Sequence, residues 1–348
     1  MKGRQFFHTA VTVVVLSAGF ASAPRVGAQD TSPAPDLKSN AGVVEQRRWV
    51  MGTQLRILVI GGGNGVGEAI DRAFDEARSW DALLSRYNPE SPLSRVNARA
   101  GDMVEVPEEL YHYLKRAMND CRRTDGVFDI TVGSLLRAYD GTDPSPAEII
   151  EALENSGHGQ LAILEEGGRY FAGLRRPGAS LDSGGDGKGV AVDAVMRILR
   201  QADIEAALID FGGSTFFGLG APAGEEGWLI AVTGIDGEVL GTVRLKDRAL
   251  SVSATLRVDA AVGGTPEGHV VDPRNGALVT SQRTSVVVSP SAVDAEVLST
   301  SLLIAPRSNK SFTDRFAGAA TAVLEAGGGW MMSGGMPDVF DPIDRGSH

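Results

Sequence analysis

Three short stretches of this chain combine residue types that could do chemistry. The first is Asp182-Ser183-Gly184-Gly185-Asp186-Gly187-Lys188-Gly189, immediately before an apolar-periodic segment. Its glycines permit close backbone approach to a phosphate or metal, Lys188 can pair with an anion, and Asp182 can accept hydrogen bonds from a base or ribose. The second is His269-Val270-Val271-Asp272-Pro273-Arg274-Asn275-Gly276. A histidine held beside a rigid Pro/Gly turn suits a general base. The third is Glu296 with Thr300, spaced i, i+4 on one face of an expected helix. A carboxylate and a hydroxyl so placed can supply two ligands to a hard cation such as Mg2+. Asp294 lies roughly 200° round the same helix and cannot replace Glu296. Taken alone, each stretch also has a plainer reading: a tight connection, a hairpin with a surface histidine, and a solvated helix face.

Other glycine clusters exclude two familiar alternatives. No set of glycines in residues 61–67 satisfies G-x-G-x-x-G, and no G-K-[ST] follows. Gly212-Gly213-Ser214 is not a G-x-S-x-G nucleophile elbow.

The elements that must position these residues are partly readable. Trp49 to Ile60 reads as a strand, with Met51, Thr53, Leu55, Ile57 and Val59 alternating onto one face. Helices are expected over Glu68 to Leu84, from Pro107 to about Arg123, over Lys188 to Gln201, Ala292 to Ile304 and Ser311 to Ala320. Short strands are expected at Ala206 to Asp210, Trp228 to Val232, Gly241 to Leu245 and Thr284 to Ser289. Ser145 to Asn155 and on to about Gly178 suggest a small helix and a hairpin. Strands that return on themselves, with helices irregularly interspersed, predict an α+β fold rather than repeated βαβ units.

The chain has 348 residues, enough for one large domain or two fused lobes. Its net charge of −11 argues against a nucleic-acid-binding or anionic-membrane surface. One cysteine, Cys121, precludes an intrachain disulfide, and no Cys/His zinc spacing occurs. Cys121 falls at a helical period from Leu110, Leu114 and Met118 and reads as a small core residue. Lys2 and Arg4, the apolar run Thr9 to Phe20 and the small residues Val26-Gly27-Ala28 have the layout of a cleavable signal peptide ending at Ala28. The expected location is therefore exported or periplasmic, with no transmembrane anchor, since the apolar run is short for a span. Gln29 to about Gly42 reads as a flexible linker, which sets residues 29–45 apart from a folded unit at 46–340.

These motifs occur in the order found in the ApbE-like family. Met51-Gly52-Thr53, the run Ser85 to Asn97, Gly126-Val127-Phe128-Asp129-Ile130-Thr131-Val132, the Asp182 to Gly189 loop, Asp210-Phe211-Gly212-Gly213, His269 to Gly276 and Ala295 to Thr300 resemble its segments in register. Together they span about residues 46–335. The resemblance implies an ApbE-like α+β fold with mixed or antiparallel sheets, flanking helices and two closely packed lobes. It implies an FAD:protein FMN transferase that uses FAD and Mg2+, moves FMN to a threonine or serine hydroxyl of an exported partner protein, and releases AMP. It places Met51, Tyr87, Val127, Phe128, Asp129, Asp182, Lys188 and Val270 or Val271 along the FAD site. Gly185 (through its carbonyl), Glu296 and Thr300 would be at the metal, and His269 and Asp182 at the chemistry. The chain departs from the family at Glu296, where aspartate is common, and at Ser183 and Asp186, which replace apolar residues. Ser253-Ala254-Thr255 matches the family's segment before the histidine poorly.

Overall fold

The computed structural model describes residues 15–16, 42–63, 65–140, 143–234, 237–257, 267–268 and 270–343. His269, the leader apart from Val15–Leu16, and residues 29–41 of the expected linker lie outside the described residues.

Strict alternation organises the central sheet. Strands β1 (Val43–Val50), β2 (Thr53–Ile60), β6 (Ala207–Phe211), β7 (Thr215–Leu219), β10 (Arg248–Ala254), β11 (Arg283–Ser289), β12 (Ala320–Glu325) and β13 (Trp330–Ser333) form one eight-stranded sheet. The order is β13-β12-β11-β10-β7-β6-β2-β1, and every pairing is antiparallel. Leu55, Ile57, Val59, Ala207, Ile209, Phe211 and Val287 point to one buried face, whereas Leu58, Leu208, Val286 and Val288 point to the other. Both faces are covered, so the sheet separates two apolar cores.

The first face carries the helices α1 (Val66–Leu84), α6 (Gly187–Gln201) and α7 (Ala292–Ile304). The second is covered by β8 (Trp228–Thr233), β9 (Val239–Leu245) and β14 (Phe340–Pro342), which form an antiparallel ribbon built round buried Trp228. Val15–Leu16, within the expected leader, pairs parallel with Ile230–Ala231 at the edge of that ribbon. A three-stranded sheet of β3 (Met103–Val106), β5 (Arg169–Leu174) and β4 (Leu161–Glu166) flanks the helix side with α2 (Pro92–Ala98), α3 (Glu108–Arg123), α4 (Gly133–Ala138) and α5 (Pro146–Glu154). No helix among the described residues is long and apolar enough to cross a membrane.

Two expected elements differ. The single strand over Trp49 to Ile60 is a hairpin: Met51 (φ 50°) and Gly52 (φ 71°) are both left-handed and close a two-residue loop between Val50 and Thr53. Such a loop matches the twist of the flanking strands but costs a non-glycine residue about 1 kcal/mol. The Met51 N–H is tied to Asp81 Oδ2 of α1 at 2.9 Å, and its side chain packs on the helix-side core. Ser311 to Ala320 is not one helix. A five-residue turn of helix, α8 (Asn309–Thr313), is followed by irregular chain, and Ala320 already starts β12. Left-handed Gly318 (φ 74°) sits between them.

Helix α7 is buried on almost every side, which excludes a solvated face. It rests on the sheet through hydroxyls: Ser299 Oγ lies 2.9 Å from both Ser251 Oγ and Ser253 Oγ, and Ser285 Oγ donates to the Ser299 carbonyl at 2.7 Å. It approaches α6 so closely that a Cβ on Gly189 would lie 2.7 Å from the Ala292 carbonyl oxygen. Asp193 of α6 caps α7 across this contact. It accepts from the amides of Ala292 (2.8 Å) and Val293 (3.2 Å) and from Ser291 Oγ (2.7 Å). Asp193→Ala strands these buried donors, and the expected loss is about 1–2 kcal/mol of unfolding free energy in urea titration.

Candidate active site

The loop between Asp182 and Gly189 is fastened on every side. Asn97 clamps its base, donating from Nδ2 to the Leu181 carbonyl (3.0 Å) and accepting from the Leu181 N–H (2.7 Å). The Asp182 N–H donates to the Ile130 carbonyl at 2.7 Å, and Ser183 Oγ donates to the Leu84 carbonyl at 3.0 Å. A Cβ on Gly185 would stand 3.0 Å from the Phe128 ring, so glycine is needed for the loop to pass under that side chain. Phe128 and Val127 are buried. The Gly126–Val132 segment and the glycine loop therefore meet.

The far end of the loop is locked to α7 by Glu296, which is 3% exposed. Glu296 Oε1 accepts from Lys188 Nζ (2.7 Å) and Thr215 Oγ1 (2.6 Å), and Oε2 accepts from the Gly189 N–H (2.6 Å). Three donors from two separate stretches of chain, the start of α6 and β7, thus satisfy one carboxylate. A buried charge tolerates nothing less.

Asp182 has a different environment. Its Oδ1 accepts from the Gly184 N–H at 2.7 Å. Its buried Oδ2 lies 2.8 Å from Arg86 Nη1, an ion pair without hydrogen-bonding alignment. Arg86 Nη2 donates to the hydroxyl of neighbouring Tyr87, and the guanidinium lies 4.7 Å from the centre of that ring. Burial works against the Arg86 charge, yet Asp182 and Tyr87 hold its pKa above the usual value. Tyr87 itself is 81% exposed, so its ring stands largely open to solvent beside Arg86.

Asp186 is fully buried and accepts from Tyr113 Oη at 2.8 Å. Burial pushes its carboxyl pKa well up; the Tyr113 bond opposes this and the Glu296 charge adds to it. Burial and the Asp186 charge likewise push the Tyr113 hydroxyl well up. The extra acid of the loop thus enters the interior on a dedicated tyrosine. Asp129 is turned inward too: its Oδ1 accepts from the Thr131 N–H (2.8 Å) and Oγ1 (2.7 Å). Asp294 is elsewhere, paired with Arg116 and Arg123 of α3.

Phe128, Asp182, Gly185, Lys188 and Glu296 are therefore gathered at one loop, with Tyr87 joined through Arg86. Met51 is tied to the last turn of α1 through Asp81 and packs on the helix-side core. Val270 and Val271 are buried in a separate turn whose Val270 carbonyl accepts from the Val279 N–H. Sequence reading passed over Arg86, Asn97, Tyr113, Asp193 and Thr215. Of these, Arg86 and Asn97 carried a signal, since both lie in the Ser85 to Asn97 run.

The donor set fits a divalent cation. Three of about four acceptor positions on Glu296 are used, and one remains on Oε2. The half-buried Thr300 hydroxyl, one turn on, has no hydrogen-bond partner among the described residues. The position of Lys188 shows that this carboxylate takes a positive partner. Two further buried atoms lack hydrogen-bond partners among the described residues: Asp182 Oδ2, which faces Arg86, and Ser214 Oγ.

Two consequences can be measured. Thr215→Val keeps the shape but removes a donor from a buried charge, and unfolding free energy should fall by about 2 kcal/mol with an unchanged denaturant slope. Asp186→Asn should gain stability over the wild type as pH rises. With a folded pKa above the unfolded one, the wild type loses stability from about pH 4 upward until the folded pKa is passed, whereas asparagine does not titrate. Urea titrations across pH check this; parallel curves would mean that Asp186 is not held protonated.

The described site can be set beside known proteins. The ApbE family model matches residues 51–337. A protein named FAD:protein FMN transferase from Salmonella typhimurium is 28% identical over 288 residues, covering 79% of this chain and 82% of its own length. One of the same name from Klebsiella pneumoniae is 29% identical over 288 residues, covering 79% and 81%. The crystal structure of the ApbE protein of Thermotoga maritima superposes with a TM-score of 0.74 at 25% identity, over 85% of this chain and 99% of that one. The apo flavinyl transferase ApbE of Pseudomonas stutzeri superposes at 0.73 with 22% identity, over 86% and 97%. With the family model matched over residues 51–337, most of its 348 residues, this chain belongs to the ApbE family.

Proposed function

We propose that this protein is an Mg2+-dependent FAD:protein FMN transferase that acts on a threonine or serine hydroxyl of an exported partner and releases AMP. Its family and the names of its relatives support the flavin chemistry. The observation that carries the reading is the Glu296 lock. It holds the glycine loop, Lys188 and Thr300 at one place and leaves acceptor positions on Glu296 and Asp182 for ligands.

In this reading Tyr87 stacks on a ring of the flavin, and Val127 and Phe128 supply apolar wall. Met51, Asp129 and Val270 complete the FAD site as the family resemblance implies. Lys188 has three ammonium donors, of which Glu296 takes one, and the others are available to the pyrophosphate. Gly185, Glu296 and Thr300 would hold Mg2+. When bound, the ion neutralises charge that develops on the phosphates. The acceptor oxygen attacks the FMN phosphorus as the bond to the AMP oxygen breaks, and His269 takes the hydroxyl proton. The exported location rests on the leader-like N-terminus.

The test is incubation of the mature chain with FAD and Mg2+, with and without a peptide bearing an Asp-x-x-Thr-Gly-Ala segment, followed by mass spectrometry. FMN mass on the peptide with equimolar AMP is expected. Free FMN plus AMP would make the protein an FAD pyrophosphatase. Bound, uncleaved FAD would make it a non-catalytic flavin binder whose Glu296 only holds Lys188, Gly189 and Thr215. Glu296→Ala should lower FAD cleavage at least about tenfold, because a charged ligand is lost. His269→Ala should retain FAD binding while transfer falls, and lost binding would remove the histidine from the role of base.

A further inference from the structure

The fold brings together three side chains that the sequence keeps apart. Cys121 comes from the last turn of α3, Asp129 from the buried segment that follows, and His158 from the 3-10 turn His158–Gln160 before β4. Cys121 Sγ, a carboxylate oxygen of Asp129 and a ring nitrogen of His158 all lie within 4.8 Å of one another. Among the described residues this is the one group of three such ligands.

The local geometry suits a metal. Cys121 Sγ and Asp129 Oδ2 are 3.5 Å apart. A tetrahedral ion with sulfur at about 2.3 Å and oxygen at about 2.0 Å places those two ligands about 3.5 Å from each other. Asp129 is already oriented, since its other oxygen is held by the Thr131 N–H and hydroxyl. Outer partners of this kind fix metal-binding carboxylates. The His158 turn is fastened as well: the Gln160 N–H donates to the Gly157 carbonyl (2.8 Å), and the Arg175 N–H and Nε donate to the carbonyls of Gln160 (2.8 Å) and Gly159 (2.9 Å). His158 itself is exposed and has no hydrogen-bond or ion-pair partner among the described residues. Cys121 and Asp129 are buried. The cluster therefore has a closed inner side and an open outer one, which gives an ion a way in and leaves a fourth position to water.

We propose that Cys121, Asp129 and His158 form a second site for a divalent ion, one of the zinc class. The thiol releases its proton to solvent on binding. Thiolate, carboxylate and neutral imidazole then bring the charge of a dication to zero, a condition for holding it in a largely buried position. The mixed sulfur, nitrogen and oxygen set distinguishes this site from the all-oxygen set at Gly185, Glu296 and Thr300. Asp129 is shared with the proposed FAD lining, while Cys121 and His158 belong to this cluster alone.

The test uses Co2+ as a spectroscopic probe of the full chain. Cys121 is the chain's one cysteine, so a thiolate-to-cobalt charge-transfer band can arise only at this site. The expected result is a band that saturates at one Co2+ per chain, is displaced by Zn2+ and vanishes in Cys121→Ser. In His158→Ala, whose exposed position spares the fold, Co2+ should bind at least about tenfold more weakly. Two results would overturn the proposal: no such band with Co2+ up to about 1 mM, or a band of undiminished affinity in His158→Ala.

Discussion

A carboxylate buried to 3% exposure must be paired, and the architecture around Glu296 follows from that demand. Its partners come from the first turn of α6 and from β7, while Glu296 itself sits in the middle of α7. None of these elements can shift by an ångström without stranding a charge. The close passage at Gly189, the cap supplied by Asp193 and the serine hydroxyls beneath Ser299 all keep α7 in the one place where Glu296 meets its donors. Charge-assisted hydrogen bonds in a dry interior are both strong and directional, so this arrangement specifies position as much as it stabilises.

The same constraint shapes the ligand-facing side. The glycine loop is held at its base by Asn97, at its middle by Phe128 and Tyr113, and at its end by Glu296. A loop fixed at so many points presents its backbone with little freedom left to lose on binding. Tyr87 stands at the surface, and among the described residues the Asp182 oxygen facing Arg86, the buried Ser214 hydroxyl and the Thr300 hydroxyl have no hydrogen-bond partner. The rigid part and the unsatisfied part lie side by side, as a preorganised binding site requires.

The sequence was legible where local pattern and tertiary outcome agree. Helix α7 runs from Ala292 to Ile304 as the pattern predicts, with Ser291 as its N-cap, and α6 begins within one residue of expectation. Alternation at Leu55, Ile57 and Val59 marked the helix-side face of β2. It could not mark the reversal at Met51-Gly52, because a methionine in a left-handed turn carries no turn signal. Strand β7 was missed because Thr215–Leu219 is buried on both faces and does not alternate. The helix expected at Ser311 to Ala320 failed because sheet pairing with β11 draws Ala320 into β12. Among candidate site residues, the motifs singled out Asp182, Lys188 and Glu296, which the fold brings to one loop. That Lys188 and Thr215 converge on Glu296 from 108 and 81 residues away is a property of the fold alone. The meeting of Cys121, Asp129 and His158 was invisible for the same reason, since no zinc-like spacing joins them.

The most direct measurement is a double-mutant cycle on unfolding free energy, with Lys188→Met and Glu296→Gln made singly and together. If Glu296 anchors the site through its pairing with Lys188, Lys188→Met alone should be strongly destabilising, and Glu296→Gln should recover much of the loss. The coupling should then be at least about 1 kcal/mol. Additive losses would mean that the two side chains are neighbours without mutual dependence, and that something other than this ion pair holds the glycine loop to α7.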